Sequence, residues 1–185
     1  MMSDRIIAYH FTGDKLRDGS PIPAVDHWLD FTGEVKMCCS GLHASRQPFD
    51  ALQYAPGPML HMVECEQIVA EDNEKLVCRR RRILQSGDAT DLLRYFARMQ
   101  ALSIIHLWEP SDVIIDYLMT GDESLRLAAW AAAWTAAGAA WAAAGAAVAA
   151  ARAAGAAARA ARDAAGAAAR EEFNRLVTQE FFDDR

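Results

Sequence analysis

Twenty-nine of the 42 residues between Ala128 and Ala169 are alanine, and this run constrains the chain more than any other feature. Alanine gives up no side-chain freedom in a helix and is its best former. No proline and no turn dipeptide occurs from Leu125 through Phe182. Asp122, Glu123 and Ser124 stand ahead of the run with capping oxygens and charges that favour a helix start. One continuous helix is predicted from residue 123 to about residue 180, with a hairpin broken near Gly138, Gly145 or Gly155 as the alternative. The run also explains why the chain is 52% hydrophobic yet only 9% aromatic, so the apolar figure does not denote one large core.

The exceptions to alanine are ordered. Leu127, Trp130, Trp134, Gly138, Trp141, Gly145, Val148, Arg152, Gly155, Arg159, Arg162, Gly166, Arg170, Phe173 and Val177 follow one another at steps of three or four. The mean step, near 3.57, lies between the coiled-coil and straight-helix periods, so these residues form one stripe. Its first half is tryptophan and glycine, its second arginine and glycine. A one-sided stripe is expected to be a buried face. Trp130, Trp134, Trp141, Val148, Arg152, Arg159, Arg162 and Arg170 are therefore the expected oligomer or partner interface, reached by self-association or by a protein partner.

Charge and cysteine narrow the function classes. Residues 121–185 carry net −1 and residues 1–120 net −5, so nucleic acid is not an expected partner. The alanine run is interrupted by Arg152, Arg159, Arg162 and Asp163, which excludes it as a membrane span. Asp4 and Arg5 interrupt any secretion-signal pattern, and a cytoplasmic location with Cys38, Cys39, Cys65 and Cys78 reduced is expected.

The first 120 residues have ordinary composition and read as an α+β arrangement: a small antiparallel β-rich domain with packed helices, followed by the long Ala-rich helix. Ile6 to Phe11, Val35 to Cys38, Met59 to Ile68 and Leu76 to Leu84 are predicted strands, the last two joined across Glu71 to Glu74. Adjacent Cys38 and Cys39 would then face opposite sides, one of them filling core. Phe49 to Tyr54 reads as a short helix, Leu92 to Trp108 as a buried one, and Val113 to Met119 as another capped by Gly121. The expected divisions are a β-rich core at 1–87, two packed helices at 88–121 and the long helix at 122–185. Arg79 to Arg82 would put two arginines on each face of a solvated edge strand.

Tyr9-His10-Phe11-Thr12, then Gly41-Leu42-His43-Ala44-Ser45 and Ala51-Leu52-Gln53-Tyr54, resemble ADP-ribosyltransferases of the poly(ADP-ribose) polymerase and diphtheria-toxin type. The resemblance implies an NAD cofactor gripped at the ribose by His10, with Tyr54 stacked on the nicotinamide. It sets His43 where a tyrosine is usual, and Glu74 as the catalytic acid. Cleaving the glycosidic bond of NAD needs a carboxylate near the ribose and an aromatic platform, which suits those residue types.

The whole layout also resembles small phage- and prophage-encoded proteins of unassigned function, on Gly41 to Ser45, Pro48, Asp50, Tyr54 to Pro56 and the alanine tail. That likeness implies an accessory protein that binds a host or phage macromolecule, such as a host defence protein it inhibits, and requires no cofactor. Cys38, Cys39, His43, His61 and Cys65 are of zinc-ligand type, but their Cys-x4-His and His-x3-Cys spacings are not a zinc signature and no metal is assigned. No Gly-rich phosphate loop, nucleophile elbow or zinc-protease histidine pair occurs.

Overall fold

In a computed structural model, residues 5–147 and 155–182 are described, with side chains except at 139–147, 155–161 and 180. The architecture is α+β. The described residues divide into two compact units, residues 1–92 with 172–185, and residues 93–171.

The first unit is built on a long antiparallel hairpin. Strands β4 (Met59–Glu71) and β5 (Leu76–Asp88) are joined where Asp72 Oδ1 accepts the Glu74 and Lys75 amides at 2.9 and 2.8 Å. Strand β1 (Ile6–Thr12) lies on the outer side of β4. The far edge of β5 takes two short strands in succession, β2 (Trp28–Asp30) against Arg80 to Arg82 and β3 (Leu42–Ala44) against Leu76 to Cys78. Beyond β3, Ser45 and Tyr9 exchange both backbone hydrogen bonds, at 2.7 and 2.9 Å. The sheet therefore curls until its first strand meets the end of β3. The core inside this curl is aliphatic and free of aromatic rings: Ala8, Ala44, Val63, Cys65, Leu76, Cys78 and Ile83.

The arginine run lies at the centre of this sheet and not on a solvated edge. Arg80 and Arg82 each meet a buried carboxylate opposite, Glu66 at 2.9 Å and Glu64 at 2.6 Å, and both guanidiniums stack on Trp28. Arg79 donates to the Gly33 carbonyl at 2.9 Å. Arg81 is buried and donates to the His43 carbonyl. Val35 to Cys38 is likewise no strand: Lys36 and Ser40 pair around a tight turn, and Cys38 and Cys39 are both exposed, so neither fills core. All four cysteines are free.

A second apolar layer of the first unit comes from both ends of the chain. Helix α1 (Pro48–Leu52) starts with no side-chain cap of its own. Asn174 Oδ1 accepts the Phe49 amide at 2.9 Å, satisfying a first-turn donor from 125 residues away. Phe173 meets Phe49 edge-on at 5.9 Å, and Phe182 lies 6.2 Å from Tyr9. Phe173, Leu176 and Val177 are all buried.

In the second unit, α2 (Thr90–Ser103) buries only Phe96 fully and ends before a single 3-10 turn at Ile105–Leu107. The expected buried helix to Trp108 is thus shorter and more exposed. Helix α3 (Asp112–Thr120) ends as expected at Gly121, which adopts the left-handed conformation at φ 70°. The alanine-rich region holds two described helices, α4 (Arg126–Ala147) and α5 (Gly155–Arg175), followed by a π-helical turn at Leu176–Phe181. Whether one helix runs through is decided at residues 148–154, which lie outside the described residues. Ala129 of α4 is buried with Ile114 and Leu118 of α3, and Ala132 and Ala133 pack on the same cluster.

Candidate functional site

The pairing of β1 with β4 sets His10 directly opposite His61, their rings 6.4 Å apart between centroids and nearly parallel. His61 is buried and held at both nitrogens. Thr12 gives its hydroxyl proton to the Gly13 carbonyl at 3.0 Å, so it accepts from His61 Nε2–H at 2.8 Å. Nδ1 is then the acceptor for the Ser86 hydroxyl at 2.6 Å. Burial, reinforced by the Arg81 charge, lowers the His61 pKa to about 4. The same causes, with His61 and His43 added, lower His10 well below its ordinary value, and burial lowers His43. All three imidazoles are neutral at pH 7.

His10 opens onto a cavity of about 540 Å³ in the first unit. Its wall is made by His10 to Gly13, Lys15 to Arg17, Cys38, His43, Tyr54, Pro56 and Lys75. Two close approaches shape it. A Cβ on Gly57 would stand 2.7 Å from the Gly13 Cα, so only glycine lets the Pro56 turn lie against the end of β1. Gly41, at φ 105° with Val77 and Val35 crowding its missing side chain, leads the chain into β3 and sets His43.

The electrostatics of the wall are one-sided. Lys15, Arg17 and Lys75 line it, no aspartate or glutamate does, and none of the three cations pairs with a carboxylate among the described residues. That is unusual in a chain of net charge −6. The Lys75 ammonium sits 4.4 Å over the Tyr54 ring, and the neighbouring Cys38 sulfur raises its pKa. The Tyr54 hydroxyl donates to Glu74 Oε2 at 2.8 Å, and this bond raises the tyrosine pKa. His10 makes no hydrogen bond to any described residue, although it is desolvated and lines the cavity.

His10, His43 and Tyr54 are thus brought together, with Glu74 attached through the tyrosine hydroxyl. Lys15, Arg17 and Lys75 escaped the sequence reading, and Cys38 entered it only as core filling or a zinc-type ligand, because the four come from three separate loops without a spacing pattern. The Thr12–His61–Ser86 chain escaped for the same reason. Cys38 and His43 share the cavity but His61 and Cys65 are buried elsewhere, and no three potential ligands cluster for a metal among the described residues.

The expected interface residues divide differently. Trp130 and Trp134 stack on each other at 5.8 Å and are 64% and 71% exposed, while the alanines between them make the contact with α3. Arg162 is exposed and Arg170 half-buried with an interaction of its own. The side chains of Trp141, Val148, Arg152 and Arg159 lie outside the described residues. No helix among the described residues is long and apolar enough to cross a membrane.

Fold and cavity together define an α+β domain with a curled antiparallel sheet and a basic pocket beside the end of its first strand. Residues 6–95, which include every residue of that cavity, are similar to a family described only as a domain of unknown function (DUF7666). No curated protein and no solved structure matches the chain.

Proposed function

We propose that the first unit binds a phosphate-bearing nucleotide in the cavity beside His10, and that the activity it serves is ADP-ribosyl transfer from NAD. The observation that carries this reading is the cavity wall: three cations without carboxylate partners and an imidazole without a hydrogen bond, all among the described residues. Cations gathered around one concavity favour a multiply charged anion, and a diphosphate suits three of them.

The residues fit NAD in the following way. Lys15, Arg17 and Lys75 hold the diphosphate, and the neutral His10 meets ribose hydroxyls through both ring nitrogens. Tyr54 offers its ring to the nicotinamide on the face away from Lys75, because a cation already covers the other. When bound, NAD supplies a glycosidic bond whose cleavage releases nicotinamide. Glu74, oriented by the Tyr54 hydroxyl, is the carboxylate that stabilises positive charge on the ribose.

Calorimetric titration with NAD, paired with a nicotinamide-release assay, tests this. The native chain should bind NAD, His10→Ala should weaken binding, and Glu74→Gln should keep binding while slowing release about 10²-fold or more. Absence of NAD binding overturns the nucleotide reading. Binding with the same release rate in Glu74→Gln removes the carboxylate's role.

A second reading rests on the stacked, exposed Trp130 and Trp134. Two adjacent indoles on one helix face are typical anchors of a macromolecular contact. They support a phage-type accessory protein that acts by binding, with the alanine-rich helix as its arm.

A further inference from the structure

Cys38 occupies a position that neither reading uses. It stands at the third residue of the Lys36–Ser40 turn, closed by Lys36 N–H to the Ser40 carbonyl at 3.0 Å and the reverse bond at 2.9 Å. It holds the left-handed conformation at φ 64°, and its amide donates to His43 Nε2 at 3.0 Å. The turn is thereby tied to β3, and the exposed thiol becomes part of the cavity wall. Lys75, Lys15 and Arg17 line the same cavity. Independently of the thiol, His10 lines the cavity without a hydrogen bond to any described residue, which points to a ligand there.

We infer that Cys38 is a modification site for small anionic disulfides, with Lys75, Lys15 and Arg17 as the recognition element. The step is thiol–disulfide exchange. The Cys38 thiol gives its proton to solvent, and its sulfur attacks one sulfur of the reagent. The reagent's S–S bond breaks, and its outer half leaves as a thiolate. Cys38 is oxidised to a mixed disulfide and the departing half is reduced, so the disulfide itself is the oxidant. The retained half keeps its carboxylate among the three cations. Lys75 accompanies the charge on the attacking sulfur, as cations do beside reactive thiols.

The molecule carries its own control. Cys39 is also exposed and adjacent in sequence, but it does not line the cavity, while Cys65 and Cys78 are buried. Anion selectivity should therefore belong to one of two neighbouring thiols. This inference shares the cavity with the nucleotide reading but does not depend on it, and a chain that ignores NAD can still show it.

The test measures reaction rates of the Cys38→Ser and Cys39→Ser variants at low salt with two probes, dianionic dithiobis(nitrobenzoate) and uncharged dithiodipyridine. The ratio of the two rates cancels each probe's intrinsic reactivity. That ratio should be about tenfold higher in Cys39→Ser, which keeps Cys38, than in Cys38→Ser. It should fall toward the lower value in high salt and on adding Lys75→Met, and mass spectrometry should place the adduct on Cys38. Arg17→Gln, at an exposed position, repeats the charge test where Lys75→Met disturbs the turn. Equal ratios in the two cysteine variants, or a ratio that ignores both charge removals, overturns the inference.

Discussion

Protonating His61 should destabilise the first unit, by an amount that follows from its surroundings. In the unfolded chain a histidine titrates near 6.5, whereas burial and Arg81 bring His61 to about 4 in the fold. The folded pKa is the lower one, so as pH falls the unfolded state takes up its proton first. The contribution is fully present above about pH 6.5 and is lost progressively down to about pH 4. Linkage between those two values gives a loss of about 2 kcal/mol at pH 5 and about 3 kcal/mol below pH 4. The structural cause is specific: Nδ1 must accept from Ser86, and a protonated Nδ1 has no lone pair to offer. His10 and His43 shift the same way and steepen the native curve. Glu71 and Asp72, whose pKa values are lowered by Arg46 and by the turn amides, act only at lower pH.

His61→Gln isolates the effect, because an amide can donate to Thr12 and accept from Ser86 without titrating. Hydrogen exchange of the most protected β4 and β5 amides reports opening of this unit alone. Between roughly pH 7.5 and pH 5 the native chain should lose about 2 kcal/mol more than His61→Gln. Equal losses within about 0.5 kcal/mol, or a His61 resonance titrating near its ordinary value, would refute the reasoning.

Gly41→Ala would put a Cβ at a φ of 105°, 2.7 Å from Val77 Cγ2 and 2.9 Å from Val35 Cγ1. Strain and overpacking together predict a loss of about 2–4 kcal/mol by urea denaturation, and a loss under about 1 kcal/mol would show that the turn yields freely. Trp130→Ala with Trp134→Ala should leave the melting temperature unchanged, since both rings are exposed, while lowering the associated mass in light scattering. A lowered melting temperature would place the indoles in the fold, and an unchanged mass would remove self-association through α4.

The hairpin was legible because its two strands are long, rich in apolar and β-branched residues, and separated by an acidic turn that β structure cannot continue. His10, His43 and Tyr54 were legible only through local motifs, each fixed to its own short element. What binds those elements into one wall was not. Lys15, Arg17 and Lys75 meet because the sheet curls, and the curl depends on Ser45 reaching Tyr9, a contact with no local pattern. The arginine run misled for a related reason. Alternation divides its faces correctly, because Arg80, Arg81 and Arg82 pair in regular register with Glu66, Cys65 and Glu64, but the strand is no edge: β2 pairs along its other side, a partner with no local pattern.

The helical stripe carries the most instructive divergence. Trp130 and Trp134 at one end are exposed, and Phe173 and Val177 at the other are fully buried, although one period joins them all. Periodicity records a shared angle around a helix axis, not a shared neighbour. Where α4 meets α3, close approach favours the smallest side chains, so Ala129, Ala132 and Ala133 take the contact and the indoles cannot. At the C-terminal end the first unit leaves a gap beside Phe49 that an aromatic ring fills, and Phe173 fills it. Large apolar residues therefore mark the buried face only where the opposing surface is concave enough to receive them. Opposite an alanine-lined contact, the same residues are left exposed, which is why the Trp130–Trp134 pair, and not the alanine run, is the part of this helix to test for binding.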